Sequence, residues 1–167
     1  LDIREARRVL DNSRGKQWWY RLGKEGTMES FGWGDSVDLM DIFSGCGHLT
    51  CVAAKAGLKV GPSVDRRPGL GHADACVLDL RSASDRRIVW ALIVALSPTW
   101  FHLGFPCTLW VAISHWTRTR DLQANEASRL EALMFIVFSR QCVHYQASRR
   151  RRSSLENPPR SIAWDLD

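Results

Sequence analysis

Lysine is scarce in this 167-residue sequence, in which four lysines accompany nineteen arginines and the net charge is +5. No GxxxxGK[ST] segment occurs, which argues against a nucleotide-phosphate loop that depends on lysine. No apolar run approaches the roughly 20 residues of a membrane span, and charged residues stand where a signal peptide is apolar. We therefore expect an intracellular protein without a membrane anchor, and the sequence does not distinguish nucleus from cytoplasm.

The five cysteines lie at irregular spacing and include no CxxC pair. This spacing is untypical of a disulfide framework or a zinc ribbon. We predict reduced thiols, four or five of them in the core, and no metal site. The excess of arginine fits a polyanionic partner such as a nucleic acid, although a biased base composition of the coding DNA would produce the same excess.

Apolar runs alternate with amphipathic stretches from residue 37 onward, in a chain of 45% hydrophobic and 25% charged residues. The pattern predicts strands over 37–43, 58–64, 75–78, 99–103 and 153–155, and helices over 49–56, 86–96 and about 126–146. We expect Gly57 to end the first of these helices and Ser84 or Asp85 to cap the second. The alternation indicates an α/β fold with a doubly wound, mostly parallel sheet over 36–167, preceded by a helix and loop extension over 1–35.

Chemically active residues follow each of these strands. The five segments are Phe43-Ser44-Gly45-Cys46-Gly47, Asp65, Asp79, Pro106-Cys107 and Glu156-Asn157-Pro158. Ligands of parallel sheets bind beyond the carboxyl ends of the strands, so these segments are expected to share one site.

Three of the segments favour an adenosine-bearing ligand. The glycine turn allows close approach of the backbone, Asp65 can accept hydrogen bonds from ribose hydroxyls, and Asp79 can accept one from an adenine amino group. Without a phosphate-grasping loop, this combination favours S-adenosylmethionine. The alternatives are a turn without ligand, a solvated Asp65 paired with its neighbouring arginines, and an Asp79 that caps a helix.

From residue 37 to residue 160 the sequence resembles the C5-cytosine DNA methyltransferases. The family's D-x-F-[SA]-G-x-G turn is matched by Asp41 to Gly47, its proline-cysteine pair by Pro106-Cys107, and its Glu-Asn pair by Glu156-Asn157. The resemblance implies a Rossmann-like fold that binds S-adenosylmethionine. The implied cofactor-binding residues are Phe43, Ser44, Gly45, Cys46, Gly47, Asp65, Asp79, Pro106 and Asn157.

The resemblance also implies catalytic roles for Cys107 and Glu156. The Cys107 thiolate would add to carbon 6 of cytosine, since carbon 5 becomes nucleophilic only after that addition. Glu156 would bond ring nitrogen 3 and the exocyclic amine and so stabilise the adduct. The partner would be DNA with the target base flipped out or single-stranded, and the residues do not distinguish DNA from RNA.

The sequence departs from the family pattern in three respects. Phe105 stands where the family has a second proline, and no serine follows closely after Cys107. The family's later arginine motif and target-recognition region do not follow Asn157, so we expect a domain that lacks them, with a second polypeptide as one possible source. The alternative is a catalytically inactive module that binds cofactor or nucleic acid.

Overall fold

The computed structural model describes residues 1–13, 20–22, 28–30, 34–67, 75–107, 110 and 122–165. The helices are α1 (Ile3–Asn12), α2 (His48–Lys55), α3 (Ala83–Leu96) and α4 (Leu122–Ser148), followed by a 3-10 helix (Ile162–Asp165). The strands are β1 (Tyr20–Leu22), β2 (Met28–Ser30), β3 (Leu39–Ile42), β4 (Ser63–Asp65), β5 (Ala75–Val77), β6 (Trp100–Leu103) and β7 (Arg152–Leu155). Among these helices, none has the length and apolar character needed to cross a membrane.

Five of the strands form one parallel sheet in the order β5-β4-β3-β6-β7, which confirms the predicted α/β architecture. The chain builds outward from β3 through β4 to β5, and then returns to pair β6 with the other side of β3. The direction of the connections therefore reverses between β3 and β6. At such a reversal a crevice opens beyond the carboxyl ends of the strands, as in Rossmann-like folds.

Strand β3 is buried on both faces, because its side chains alternate between two layers. Leu39 packs with Ala53, Ala54 and Val60 on the α2 side. Met40 and Ile42 belong to the larger core on the opposite side, which α1, α3 and α4 cover through residues such as Leu10, Leu92 and Phe138. Helices thus lie on both faces of the sheet, as the alternation predicts.

The N-terminal part differs from the predicted helix and loop. Helix α1 packs on α3, and its Ala6 and Leu10 are buried in the same core as the sheet. Strands β1 and β2 form an antiparallel pair within the predicted loop. Each strand has only three residues, which is too short for a period-2 pattern to stand out among the surrounding glycines.

The helix ends agree with the sequence at one position and differ at another. Gly57 has φ +90°, the left-handed conformation that glycine adopts after a helix, as predicted. Helix α3, however, begins earlier than predicted, and Ser82 rather than Ser84 or Asp85 is its cap. The Ser82 hydroxyl accepts a hydrogen bond from the Asp85 N–H, and the presence of Ser82, Ser84 and Asp85 within four residues made this choice ambiguous.

A buried carboxyl group lies at the centre of the sheet. Asp41 is 2% exposed, and its Oδ2 accepts a hydrogen bond of 3.3 Å from the Thr50 hydroxyl of α2, which itself accepts one from Ser63. Burial raises the pKa of Asp41 from its ordinary value of 3.8 to about 6, while the nearby His102 and the Thr50 hydroxyl oppose the rise. The charged form of this carboxyl is therefore disfavoured in the folded protein.

The raised pKa of Asp41 predicts a pH-dependent loss of stability. The folded state favours the protonated carboxyl, so its contribution is fully present below about pH 4 and is lost as the pH rises through about 6. The variant Asp41→Asn carries no charge at this position. At pH 7.5 its free energy of unfolding should therefore be higher than that of the unaltered protein by about 2 to 3 kcal/mol, because each unit of pKa shift corresponds to about 1.4 kcal/mol.

Urea unfolding at several pH values between 4 and 7.5 measures this difference, which should shrink toward pH 4. The variant Asp38→Asn changes the exposed carboxyl next to β3 and serves as the control. An equal pH dependence of the two variants would contradict burial as the cause.

Candidate functional site

The turn after β3 brings the first predicted segment against the second. Phe43 has φ 61°, an unusual conformation for a bulky residue, and Gly45 and Gly47 also have positive φ. The Gly45 N–H donates to Asp65 Oδ2 at 2.9 Å, and the Arg67 N–H donates to Oδ1 at 3.0 Å. Asp65 therefore holds the glycine turn in place while it faces the crevice at the end of β4.

A cavity of about 370 Å³ lies beyond the carboxyl ends of the strands, within the size range of small-molecule sites. Four residues predicted as cofactor contacts line it: Phe43, Asp65, Asp79 and Pro106. The remainder of the wall is mixed: its apolar side chains come from Leu78, Leu80, Ala132 and Phe135, and its polar or charged ones from Arg66, Arg67, Arg81, Ser128 and Glu131. Phe43 and Phe135 meet edge to face with ring centroids 5.3 Å apart, so β3 and α4 close one end of the cavity together.

Asp79 is already paired within this cavity. The Arg81 guanidinium donates to both of its carboxylate oxygens, at 2.9 Å and 2.5 Å, and also lies 3.7 Å from Glu131 Oε2 of α4. The hydrogen bond from Arg81 lowers the pKa of Asp79. An adenine amino group would have to share this carboxylate with Arg81 or displace it.

The other members of the glycine turn lie beside the cavity rather than in its wall. Cys46 is exposed, Gly47 is buried and begins α2, and Ser44 is half-buried. The Ser44 hydroxyl oxygen is buried and has no hydrogen-bond partner among the residues that the structure describes. A ligand that approaches the turn would find a free polar group there.

The two predicted catalytic residues come from adjacent strand ends. Cys107 is half-buried in the segment after β6, next to Pro106, and Glu156 is exposed directly after β7. The Glu156 N–H donates to the Leu103 carbonyl at 2.9 Å, which extends the pairing of β6 and β7 by one residue. Glu156 Oε2 would lie 3.7 Å from a Cβ atom added at Gly104, so the carboxylate reaches over the start of the Cys107 segment.

Asn157 has a different place from the one the sequence predicts. Its side chain is 8% exposed and does not line the cavity; the amide group donates to the Phe105 carbonyl at 3.1 Å. This hydrogen bond joins the end of β7 to the segment that carries Cys107. Asn157 therefore connects the two segments that carry the predicted catalytic residues.

Sequence reasoning missed Arg81 and His102. Arg81 follows Asp79 by two residues, a spacing that allows a local ion pair, but an arginine-rich sequence offers many such pairs. His102 precedes Gly104 on β6 and is in register with Asp41 on β3. A polar residue inside an otherwise apolar strand was the signal that could have singled out His102.

The five cysteines are free thiols, and Cys76 and Cys142 are the two that are buried. The prediction of four or five core thiols was therefore wrong, since Cys46 is exposed and Cys51 and Cys107 are half-buried. Burial raises the pKa of Cys76 to about 12. Within the described ranges no three histidine, cysteine or acidic residues are grouped as metal ligands would be.

Comparison of the chain with models of known protein families, with curated proteins and with solved structures finds no match.

The role of Asn157 predicts a loss of stability when its amide is removed. The variant Asn157→Ala should lower the free energy of unfolding by about 1 to 3 kcal/mol, because the buried Phe105 carbonyl loses its partner. Asn12→Ala, at the exposed end of α1, should change it by at most about 0.5 kcal/mol. Urea unfolding measures both variants, and equal values would contradict the role assigned to the Asn157 amide.

Proposed function

We propose that this chain is an S-adenosylmethionine-dependent methyltransferase that acts on carbon 5 of cytosine in DNA. The observation that carries the proposal is the common cavity: residues from the ends of β3, β4, β5 and β6, each expected from the sequence alone to contact the cofactor, line one space. Its position beyond the carboxyl ends, next to the reversal between β3 and β6, is where Rossmann-like folds bind adenosine-bearing ligands.

The cavity wall is compatible with the adenosine part of the cofactor. Leu78, Leu80 and Phe135 offer apolar surface to an adenine ring. Each Asp65 oxygen accepts one backbone N–H, and a carboxylate oxygen has a second lone pair that remains available to a ribose hydroxyl. The unpartnered Ser44 hydroxyl supports a ligand at the turn, within the described part of the chain. Bound S-adenosylmethionine would supply the methyl group.

The chemistry rests on Cys107 and Glu156. In the proposed reaction the Cys107 thiolate forms a bond to carbon 6 of cytosine, and the electron pair of the 5,6 double bond makes carbon 5 nucleophilic. Glu156 bonds ring nitrogen 3 and the exocyclic amine and stabilises the charge that develops there. After methyl transfer a base takes the proton from carbon 5, and the thiolate leaves.

A second candidate function is a binding module without turnover. The ion pair of Arg81 with Asp79 favours it, because this arginine occupies the carboxylate that adenine would use. The absence of Cys107 from the described cavity wall is consistent with the same alternative. The two experiments below separate the candidates.

If the ligand is S-adenosylmethionine, its binding should depend on Asp65 whether the chain is the enzyme or the binding module. Isothermal titration should give measurable binding by the unaltered protein and a loss of about 1 to 3 kcal/mol for Asp65→Ala, the usual effect of leaving a polar partner unpaired. Asp65→Asn keeps an oxygen for the Gly45 N–H and tests the charge separately.

The control for this titration is Asp38→Ala. Asp38 is another aspartate whose oxygen accepts a backbone N–H, from Lys59 at 2.8 Å, but it is exposed and precedes β3 at the opposite end of the sheet. Equal effects of the Asp38 and Asp65 variants would contradict the assigned cofactor site.

Methyl transfer depends on Cys107 only if the chain is an enzyme. Cys107→Ala should abolish both methylation of DNA and covalent trapping on an oligonucleotide with 5-fluorocytosine, while its affinity for S-adenosylmethionine stays unchanged. Cys51→Ala removes another half-buried thiol, from α2, and should react as the unaltered protein does.

The outcomes distinguish the two candidate functions. Trapping by the unaltered protein and by Cys51→Ala supports the enzyme, and a parallel assay with RNA tests the choice of nucleic acid. Cofactor binding without trapping favours the binding module. An active Cys107→Ala protein would overturn the proposed mechanism.

A further inference from the structure

A row of polar side chains crosses three strands on the α2 side of the sheet. Asp41 of β3 is in register with His102 of β6, and His102 is in register with Ser154 of β7. His102 Nδ1 lies 2.9 Å from Ser154 Oγ, and Trp100 Nε1 lies 3.0 Å from the same oxygen. His102 therefore has its Nδ1 anchored to the neighbouring strand.

Ser154 holds the ring of His102 in place. The Trp100 indole can only donate, so Ser154 Oγ accepts from it. The same oxygen contacts His102 Nδ1 at 2.9 Å and the Phe101 carbonyl at 3.4 Å, and its single hydrogen can go to either. When the hydrogen goes to Nδ1, the proton of neutral His102 is on Nε2; when Nδ1 donates instead, Nε2 is protonated only in the cationic ring.

The other ring nitrogen and the predicted catalytic carboxylate lie near one point. His102 Nε2 and Glu156 Oε2 would lie 3.8 Å and 3.7 Å from a Cβ atom added at Gly104. Because residue 104 is glycine, no side chain of its own fills this point. Among the described residues no hydrogen bond or ion pair joins the two groups, so their pairing requires the exposed Glu156 side chain to turn toward His102.

We propose that His102 is a positioning residue for Glu156: its Nε2–H donates a hydrogen bond to the Glu156 carboxylate and holds that carboxylate over the segment that carries Cys107. The pairing itself is argued from the geometry of the row. Its consequence for catalysis rests on the proposed function. Trp100 and Ser154 act through His102, because Ser154 holds its ring and Trp100 holds Ser154.

Two ionisable groups face His102 in the part of the chain that the structure describes. Asp41 lies beside it on β3, and Glu156 lies beyond the end of β7. Arg152 is on the same face of β7 but pairs in register with Trp100, one step farther from the site. Changing Glu156 alone therefore tests whether this carboxylate interacts with His102.

The pairing is tested without any activity measurement. ¹⁵N NMR of labelled protein reports the tautomer of His102 and the environment of its Nε2, with His102→Gln used to assign the signals. The neutral ring should be protonated on Nε2, and Glu156→Gln should shift the Nε2 signal, because a charged acceptor is replaced by a neutral one. The control Glu131→Gln changes an exposed carboxylate of α4 that contacts Arg81 instead and should leave the Nε2 signal unchanged.

The catalytic consequence is tested with two substitutions at His102. In His102→Leu the hydrogen bond is lost, and kcat on cytosine-containing DNA should fall by roughly tenfold or more, as for a hydrogen bond to a charged group. In His102→Gln the side-chain amide can donate in place of Nε2–H, and much of kcat should return. Affinity for S-adenosylmethionine should be unchanged in both, and His144→Gln, an exposed histidine on α4, is the control.

The outcomes separate this proposal from the proposed function. A His102 Nε2 signal that does not respond to Glu156→Gln would overturn the pairing, and this measurement keeps His102 itself intact. Equal kcat losses in the Leu and Gln variants would assign His102 a packing role only and also overturn the proposal. If the unaltered protein transfers no methyl group, the proposed function fails, while the NMR measurement still decides whether His102 contacts Glu156.

Discussion

The pairing of β3 with a parallel strand on each side is the constraint on which the rest of the structure depends. Its backbone groups bond to β4 and β6, and its side chains are buried above and below. A strand with both edges and both faces occupied can present functional groups only at its ends. The turn after Ile42 therefore contributes Phe43 to the wall of the cavity, and the neighbouring strands bring the remaining residues to the same edge.

The sequence predicted the parts of the fold that depend on long patterns. Apolar runs that end in glycine, aspartate or proline marked the strands of the parallel sheet, and the ends of those strands brought Phe43, Asp65, Asp79 and Pro106 into one cavity. Short or ambiguous signals failed. Strands β1 and β2 are too brief for periodicity, and the start of α3 offered several capping side chains. Residue order alone could place the strand ends but could not assign partners to the side chains.

The partners change the interpretation of several site residues. Asn157 was expected at the cofactor, but its amide bonds the Phe105 carbonyl and joins two strand ends. Asp79 was expected to be open to adenine, but Arg81 holds it. His102 had no predicted role and is anchored to Ser154. Each of these contacts depends on the register of neighbouring strands or on a side-chain conformation, and neither can be derived from spacing in a single sequence.

The ion pairs of Arg81 have a consequence for how the two proposed ligands respond to salt. Arg81 joins Asp79 to Glu131 at the surface of the cavity, where its side chain is 41% exposed. Added electrolyte screens such surface attractions and so loosens the arginine from the carboxylate. It also weakens the association of a basic protein with a polyanion, because the release of counterions into a more concentrated salt solution is less favourable. Ionic strength would thus act in opposite directions on the proposed nucleoside cavity and on the proposed contact with nucleic acid, and the best working concentration of salt would be a compromise between them.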